Sequence, residues 1–263
     1  MPKRKPGQKA KVKPVIKVDD GYPRMNILTP IYNRTKWLPL MVANIMTFDY
    51  DKEKLVWYIL DSKDGDEDIR LFPDTPEGNK LQDDVRKAIH PVNLIYEYWG
   101  KKMTIAEKRN HLVKHSTTKW WANMDSDDIY LPTYLQYSLD MLLKNKVGLC
   151  GSPQMLFIYP NHDYKTSFIN CPANRQIHEA TMCFTRKHFR RMGGFSKIGN
   201  GEGSKMVDGC NEKQFYKTEV DKQMICICHQ DNTCKKDKFL ADRFLVDAKI
   251  TGRQMELLRE LFS

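Results

Sequence analysis

The chain has 263 residues, 41% hydrophobic and 11% aromatic, which suffices for one large domain with a real core plus short appendages. No apolar run approaches the ~20 residues of a membrane span, no secretory signal is evident, and seven scattered cysteines favour reduced thiols in a cytoplasmic compartment over a disulfide framework. Of the net charge of +10, seven units lie ahead of the first acid, Asp19, so the remainder is only weakly basic.

Residues 1–22 are rich in Lys, Pro and Gly and cannot bury enough surface to fold alone. They are expected to form a disordered or extended arm that aids solubility or makes peripheral contact with an anionic membrane surface. From residue 23 onward, strand-like and helix-like segments alternate. Residues 25–30 read as a first strand, 37–48 as a helix with Leu38, Met41, Ile45 and Phe48 at helical spacing, and 56–60 as a short buried strand stopping at Asp61. A helix over 80–89, a strand over 93–99, a helix over 103–115 and a strand over 120–124 follow, and Pro132 stands at a first-turn position for a helix over 133–144. Beyond residue 146 the pattern predicts strands over 147–159 and 181–185, a short basic helix over 187–192, a Gly-rich stretch from Gly193 to Gly209, and an apolar strand over 223–229. Residues 236–263 read as a helical extension interrupted by Gly252.

Such alternation implies βαβ units, a largely parallel sheet and an α/β fold. Asp61 and Asp125 each follow an apolar strand directly, which places them on the sheet edge where nucleotides bind in such folds. Neither a Gly-x-Gly-x-x-Gly turn nor a phosphate loop follows the first strand, against a dinucleotide oxidoreductase or a P-loop enzyme. The run Met124, Asp125, Ser126, Asp127, Asp128 crowds three carboxylates into four positions. They repel one another unless a cation lies between them, and hard oxygen ligands suit Mn²⁺ or Mg²⁺. A solvated acidic turn or a helix cap has the same composition. Cys226, Cys228, His229 and Cys234 raise a zinc alternative, but Cys-x-Cys is poor spacing for a zinc knuckle, and buried thiols on one strand face are the commoner outcome. Trp120 and Trp121 fit the core best.

Taken in order, several blocks resemble the GT-A glycosyltransferases of the family-2 type. They are Thr29, Pro30, Ile31, Tyr32, Asn33, Arg34; then Tyr58, Ile59, Leu60, Asp61, Ser62; then Lys108, Arg109, Asn110; then the acidic run 124–128; and Gly193, Gly194, Phe195 with an acidic loop behind. The resemblance spans residues 24–234. It implies a Rossmann-like, mostly parallel central sheet flanked by helices, with a smaller mixed sheet on the acceptor side. It implies that Pro30, Tyr32, Arg34 and Asp61 hold the nucleobase and ribose of a nucleoside-diphosphate sugar, with Lys108, Arg109, Asp125 and Ser126 also on the donor. Asp125 and Asp127 take the DxD positions, with Asp127, Asp125 and a late histidine, His229, as ligands of Mn²⁺ or Mg²⁺.

The implied reaction moves a monosaccharide from an NDP-sugar (UDP, GDP or dTDP) to a hydroxyl of a glycan or glycoconjugate acceptor, with inversion. Relatives carry the base as a Glu-Asp pair soon after Gly-Gly-Phe. This chain departs from that with Gly201, Glu202, Gly203 and then Asp208, so Glu202 is the first candidate base and Asp208 the second. His178 and Glu179 would border the acceptor pocket. A sugar nucleotidyltransferase is a nearby alternative, although the loop 29–34 contains no glycine. A nucleic-acid-binding module using the basic arm would not explain acids aligned at strand ends, so no nucleic acid is expected. A catalytically dead lectin-like relative is the remaining alternative.

Overall fold

The computed structural model describes residues 21–63, 69–171, 177–196, 201–211, 213–230, 232, 235–248, 250 and 252–263. The arm up to residue 20, Asp64 and Cys234 therefore lie outside the described residues.

The first half is laid down as strand–helix units: β1 (Met25–Ile31), α1 (Leu38–Thr47), β2 (Leu55–Ser62), α2 (Pro76–Ala88), β3 (Asn93–Trp99), α3 (Ile105–His115) and β4 (Trp120–Asn123). β2 is buried at all eight positions, as a parallel strand covered on both faces must be. Its Trp57 indole N–H, unable to reach water, donates to Thr29 Oγ1 at 2.9 Å. Helix starts follow local chemistry. Thr75 caps α2 by accepting from Gly78 N–H at 3.1 Å, and Thr104 with Glu107 closes a reciprocal capping box on α3.

The second half contributes β5 (Asp128–Tyr130), α4 (Tyr134–Asn145), β6 (Leu149–Gly151), β7 (Gln154–Tyr159), β8 (Lys165–Asn170), β9 (Cys183–Thr185), α5 (Arg186–Met192), α6 (Ser204–Val207), β10 (Phe215–Lys217), β11 (Met224–Ile227), β12 (Leu245–Val246) and α7 (Arg253–Phe262). The central sheet has the order β10-β6-β9-β4-β1-β2-β3 and is parallel except for β9, which runs against β4 and β6. A five-stranded mixed sheet, β12-β8-β7-β11-β5, sits beside it. The α/β fold with a mostly parallel main sheet and a smaller mixed one is as anticipated.

Several elements differ from expectation. The stretch 147–159 is two strands in different sheets, because Ser152 and Pro153 break it and proline has no donor for a central ladder. Asp128 caps no helix: it opens β5, buried, and accepts Ile227 N–H at 3.0 Å. Pro132 precedes α4, and its carbonyl accepts Asp49 N–H at 2.8 Å. Asp237–Leu240 and Asp242–Phe244 form short 3-10 turns and Leu245–Val246 forms β12, with a helix only after Gly252, whose φ of +83° is a left-handed conformation open to glycine.

The segment boundaries also shift. Tyr22, assigned to the arm, hydrogen-bonds Asp140 at 2.7 Å and lies against Tyr50. α7 packs on the main core, with Met255 and Leu258 joining it and Gln254 donating to Thr47 at 2.8 Å.

Candidate active site

β1, β2 and β4 end on the same edge of the sheet, and the segments leaving them wall a cleft of about 520 Å³. Pro30, Tyr32 and Arg34 line it from β1, Ser62 from β2, and Asp125, Ser126 and Asp127 from β4. Lys108 and Arg109 enter from α3, Glu179 and Glu202 from the loops around β9 and α6, and Asn232 and Lys236 from the stretch after β11.

The acids divide into two groups. Asp127 Oδ2 accepts from His229 Nε2 at 3.0 Å and faces Arg34 Nη2 at 3.5 Å. Burial alone would raise its pKa, but the His229 hydrogen bond and the Arg34 charge hold it below the usual carboxylate value. His229 is held in turn: its ring lies 4.8 Å from Trp37, and its backbone N–H donates to Asn232 Oδ1 at 2.8 Å. Asp125 turns elsewhere, accepting from Arg109 Nη2 at 2.9 Å, while its backbone N–H donates to Tyr130 at 2.8 Å. Burial raises the Asp125 pKa against the pull of Arg109. Of the predicted ligands, Asp127 and His229 are thus brought together, and Asp125 is tied through one oxygen to Arg109. In Asp128, burial and the neighbouring Asp127 push the pKa up to about 7.

Arg109 is the hub of the second group. It is 2% exposed, with Nε 3.3 Å from Glu202 Oε1, Nη2 on Asp125, and its guanidinium 5.7 Å from the Phe195 ring centre. Its buried Nη1 has no hydrogen-bond partner among the described residues. A donor left bare in such a place costs roughly 1–3 kcal/mol. The loop bearing Glu202 is pinned from both ends. Asn110 exchanges two hydrogen bonds with the Phe195 backbone, at 2.8 and 3.0 Å. Glu179 Oε1 accepts Gly203 N–H at 3.0 Å, so closely that a Cβ on residue 203 would meet Glu179 Cγ at 2.4 Å. Burial raises the Glu202 pKa, and Arg109 offsets this only in part.

Of the residues expected on the nucleotide, Asp61 is 1% exposed and does not line the cleft. Its Oδ2 accepts from Leu71 N–H at 2.8 Å and Tyr96 at 3.0 Å, while Oδ1 is buried without a partner among the described residues. Lys108, also buried, donates to the Ile31 carbonyl and stands 6.0 Å from the Tyr32 ring. Asp208 is exposed at the end of α6, away from the cleft lining. Sequence reasoning missed Lys236, whose Nζ lies 2.8 Å from Cys226 Sγ at the cleft wall. A lone lysine in a charged segment carries no signal that could have found it. Cys226 and Cys228 are buried, and the intervening alternation sends His229 to Asp127 instead of towards them. Trp121 is 1% exposed in the core, as expected.

The donors present fit a divalent ion in a limited way. The 3.0 Å between Asp127 Oδ2 and His229 Nε2 matches the roughly 3 Å between adjacent ligands each about 2.1 Å from an octahedral ion. Among the described residues, no group of three or more His, Cys, Asp or Glu side chains is arranged to hold a metal. The site therefore offers two protein donors, Asp127 and His229, to such an ion.

No curated protein sequence matches the chain. Among solved structures, the mannosyltransferase PcManGT from Pyrobaculum calidifontis, in complex with GDP-Man and Mn²⁺, superposes with a TM-score of 0.57 at 19% identity, covering 80% of this chain and 58% of that one. S. aureus TarS in complex with UDP-GlcNAc gives 0.58 at 12% identity, covering 80% and 60%. At such identities the likeness is one of fold, and the chain spans about three fifths of the length of these proteins. The sequence pattern described as Glycosyl transferase family 2 matches residues 78–225, more than half of the chain, from within α2 to within β11. The chain belongs to glycosyl transferase family 2.

Proposed function

We propose that this protein transfers a monosaccharide from a nucleoside-diphosphate sugar to a hydroxyl group of a glycan or glycoconjugate, by a single inverting displacement that requires a divalent ion. The observation that carries this reading is the Asp127–His229 pair, 102 residues apart in sequence and 3.0 Å apart in space, with Asp127 lining the same cleft as Glu202. PcManGT binds GDP-Man with Mn²⁺, and TarS binds UDP-GlcNAc, which supports the donor class.

In this reading Tyr32, Arg34 and Lys108 receive the nucleotide, and Asp127 with His229 would hold Mn²⁺ or Mg²⁺. A bound ion would neutralise the charge gathering on the departing diphosphate. Arg34, already beside Asp127, adds a second positive charge for the same anion. Glu202 accepts the proton of the acceptor hydroxyl, whose oxygen bonds to the anomeric carbon as the bond from that carbon to phosphate oxygen breaks and the diphosphate leaves with the electron pair. A raised pKa makes Glu202 a stronger base than an ordinary surface carboxylate, and Arg109 orients it. Glu179 is committed to Gly203 N–H and positions the loop.

A donor screen tests the proposal. The chain is incubated with UDP-, GDP- and dTDP-sugars and Mn²⁺, and release of nucleoside diphosphate is measured with and without EDTA. At least one donor should be consumed, and chelation should abolish its turnover. Equal release in EDTA would remove the ion from the mechanism.

A further inference from the structure

A second cavity, about 650 Å³, lies at the other edge of the central sheet. Lys119 and Trp120 wall it at the start of β4, the strand whose far end delivers Asp125. Five residue steps of extended chain run from Trp120 to Asp125, roughly 17 Å. The cavity is therefore distinct from the donor cleft.

Its chemistry is one-sided. Lys119, Lys146, Lys187, Arg190, Arg191 and Lys213 line it with exposed side chains, drawn from four separate parts of the chain, and the half-buried Arg186 joins them. Among the described residues no carboxylate lines it. The folded part of the chain carries little net charge once the N-terminal arm is set aside, so this is a local concentration of cations. Such a set repels itself unless an anion is present, by the same physics that marks an acidic cluster as a cation site.

The surround is ordered. Buried His188 donates from Nε2 to the Met206 carbonyl at 2.8 Å and accepts from Arg191 Nη2 at 2.9 Å, which fixes that guanidinium. Gly148 lets His188 approach β6, since a Cβ there would meet His188 Cβ at 2.8 Å. Arg186 is held by the Ser116 carbonyl at 3.2 Å and lies 5.3 Å from the Trp121 ring. The half-buried Trp120 adds an aromatic wall.

We propose that this cavity is an anion-binding site for a ligand bearing phosphate or pyrophosphate groups. Its volume falls within the range of small-ligand sites, and its cations ring a concavity, whereas single-stranded nucleic acid is tracked by an open groove. Fixed guanidinium groups match phosphate oxygens bidentately. The phosphate can reside on a soluble molecule or on a lipid headgroup.

Calorimetric titration of the full chain with inorganic pyrophosphate in EDTA tests this. The parent should saturate, and the double variant Lys187→Glu/Arg190→Glu should bind at least about tenfold more weakly, as expected for loss of charge-assisted hydrogen bonds. A control should stay within about twofold of the parent: Lys80→Glu/Lys87→Glu, which changes the net charge equally on exposed positions of α2. No binding by the parent, or equal losses in the two double variants, would overturn the proposal. Vesicles of phosphatidylcholine containing phosphatidic acid separate the sources. Co-sedimentation that pyrophosphate competes away and the Lys187→Glu/Arg190→Glu variant lacks assigns a headgroup; no co-sedimentation with pyrophosphate binding intact assigns a soluble ligand. A single-stranded oligonucleotide that depends on Lys187 and Arg190 yet resists displacement by excess pyrophosphate would replace the site with a nucleic-acid surface.

Discussion

Asp127 and Glu202 carry different burdens, and their variants should fail differently. Asp127→Ala leaves His229 and Arg34 without their shared partner. It should abolish metal-stimulated turnover while circular dichroism stays that of the parent; metal-dependent activity at the parent rate would remove Asp127 from the ion. Glu202→Gln keeps the shape but not the basicity, so donor affinity should persist while kcat falls by about 10²–10⁴-fold, with Asp208→Asn near the parent because Asp208 is exposed. The proton acceptor must be ionised, and burial raises the Glu202 pKa. Activity should therefore fall as pH drops through a limb above the ~4.3 of an ordinary glutamate, and an acid limb at or below that value would contradict this. At this scale the sequence was partly legible. The spacing of Asp125 and Asp127 behind an apolar strand announced the cleft, and His229 ended another such strand. That Asp125 would be bound to Arg109 was not readable, because the pairing depends on how α3 lies across the ends of β1 and β2.

At the scale of elements, α3 and the Gly-Gly-Phe turn position the reacting groups. The Thr104–Glu107 capping box starts α3 one turn ahead of Lys108 and Arg109, and Asn110 on the same helix clamps Phe195. Gly194 has φ +83°, and a Cβ there would meet Asn110 Oδ1 at 2.4 Å. Gly194→Ala should thus cost about 1–3 kcal/mol and impair turnover by releasing the Glu202 loop. A denaturation midpoint and kcat equal to those of the parent would refute the clamp. α5 contributes a pH effect. Burial lowers the His188 pKa to about 4. Its neutral form is the one the fold accepts, so its stability contribution is fully present above the unfolded value near 6.5 and lost as pH falls towards 4. That loss amounts to roughly 3 kcal/mol. His188→Gln should flatten unfolding free energy over that window relative to the parent; an unchanged slope would show that His188 does not govern it. Helices with caps and helical spacing were legible, as were strands followed by acids. The division of 147–159 between two sheets was not, because both halves are apolar and only Ser152 and Pro153 mark the break. The late segment 236–252 misled because its apolar residues serve β12 and packing against β8, a tertiary demand that outweighs local helical spacing.

For the molecule as a whole, the two sheets divide the work. The parallel sheet gathers the ends of β1, β2 and β4 at one edge, while β5 and β11 of the mixed sheet bring Asp128 and His229 against them. Among the described residues no helix is long and apolar enough to cross a membrane. The order of blocks along the chain was sufficient to anticipate the α/β architecture, because βαβ units leave few alternatives for where strand ends meet. The cationic cavity went unnoticed in sequence because its lysines and arginines come from four distant segments, none of them unusual alone. The most direct test of the account is anomalous diffraction at the manganese edge from crystals grown with Mn²⁺ and a nucleoside diphosphate. A peak is expected within bonding distance of Asp127 Oδ2 and His229 Nε2, beside the diphosphate. A bound nucleotide with manganese elsewhere, or with the Asp127–His229 hydrogen bond intact and no peak next to it, would contradict it.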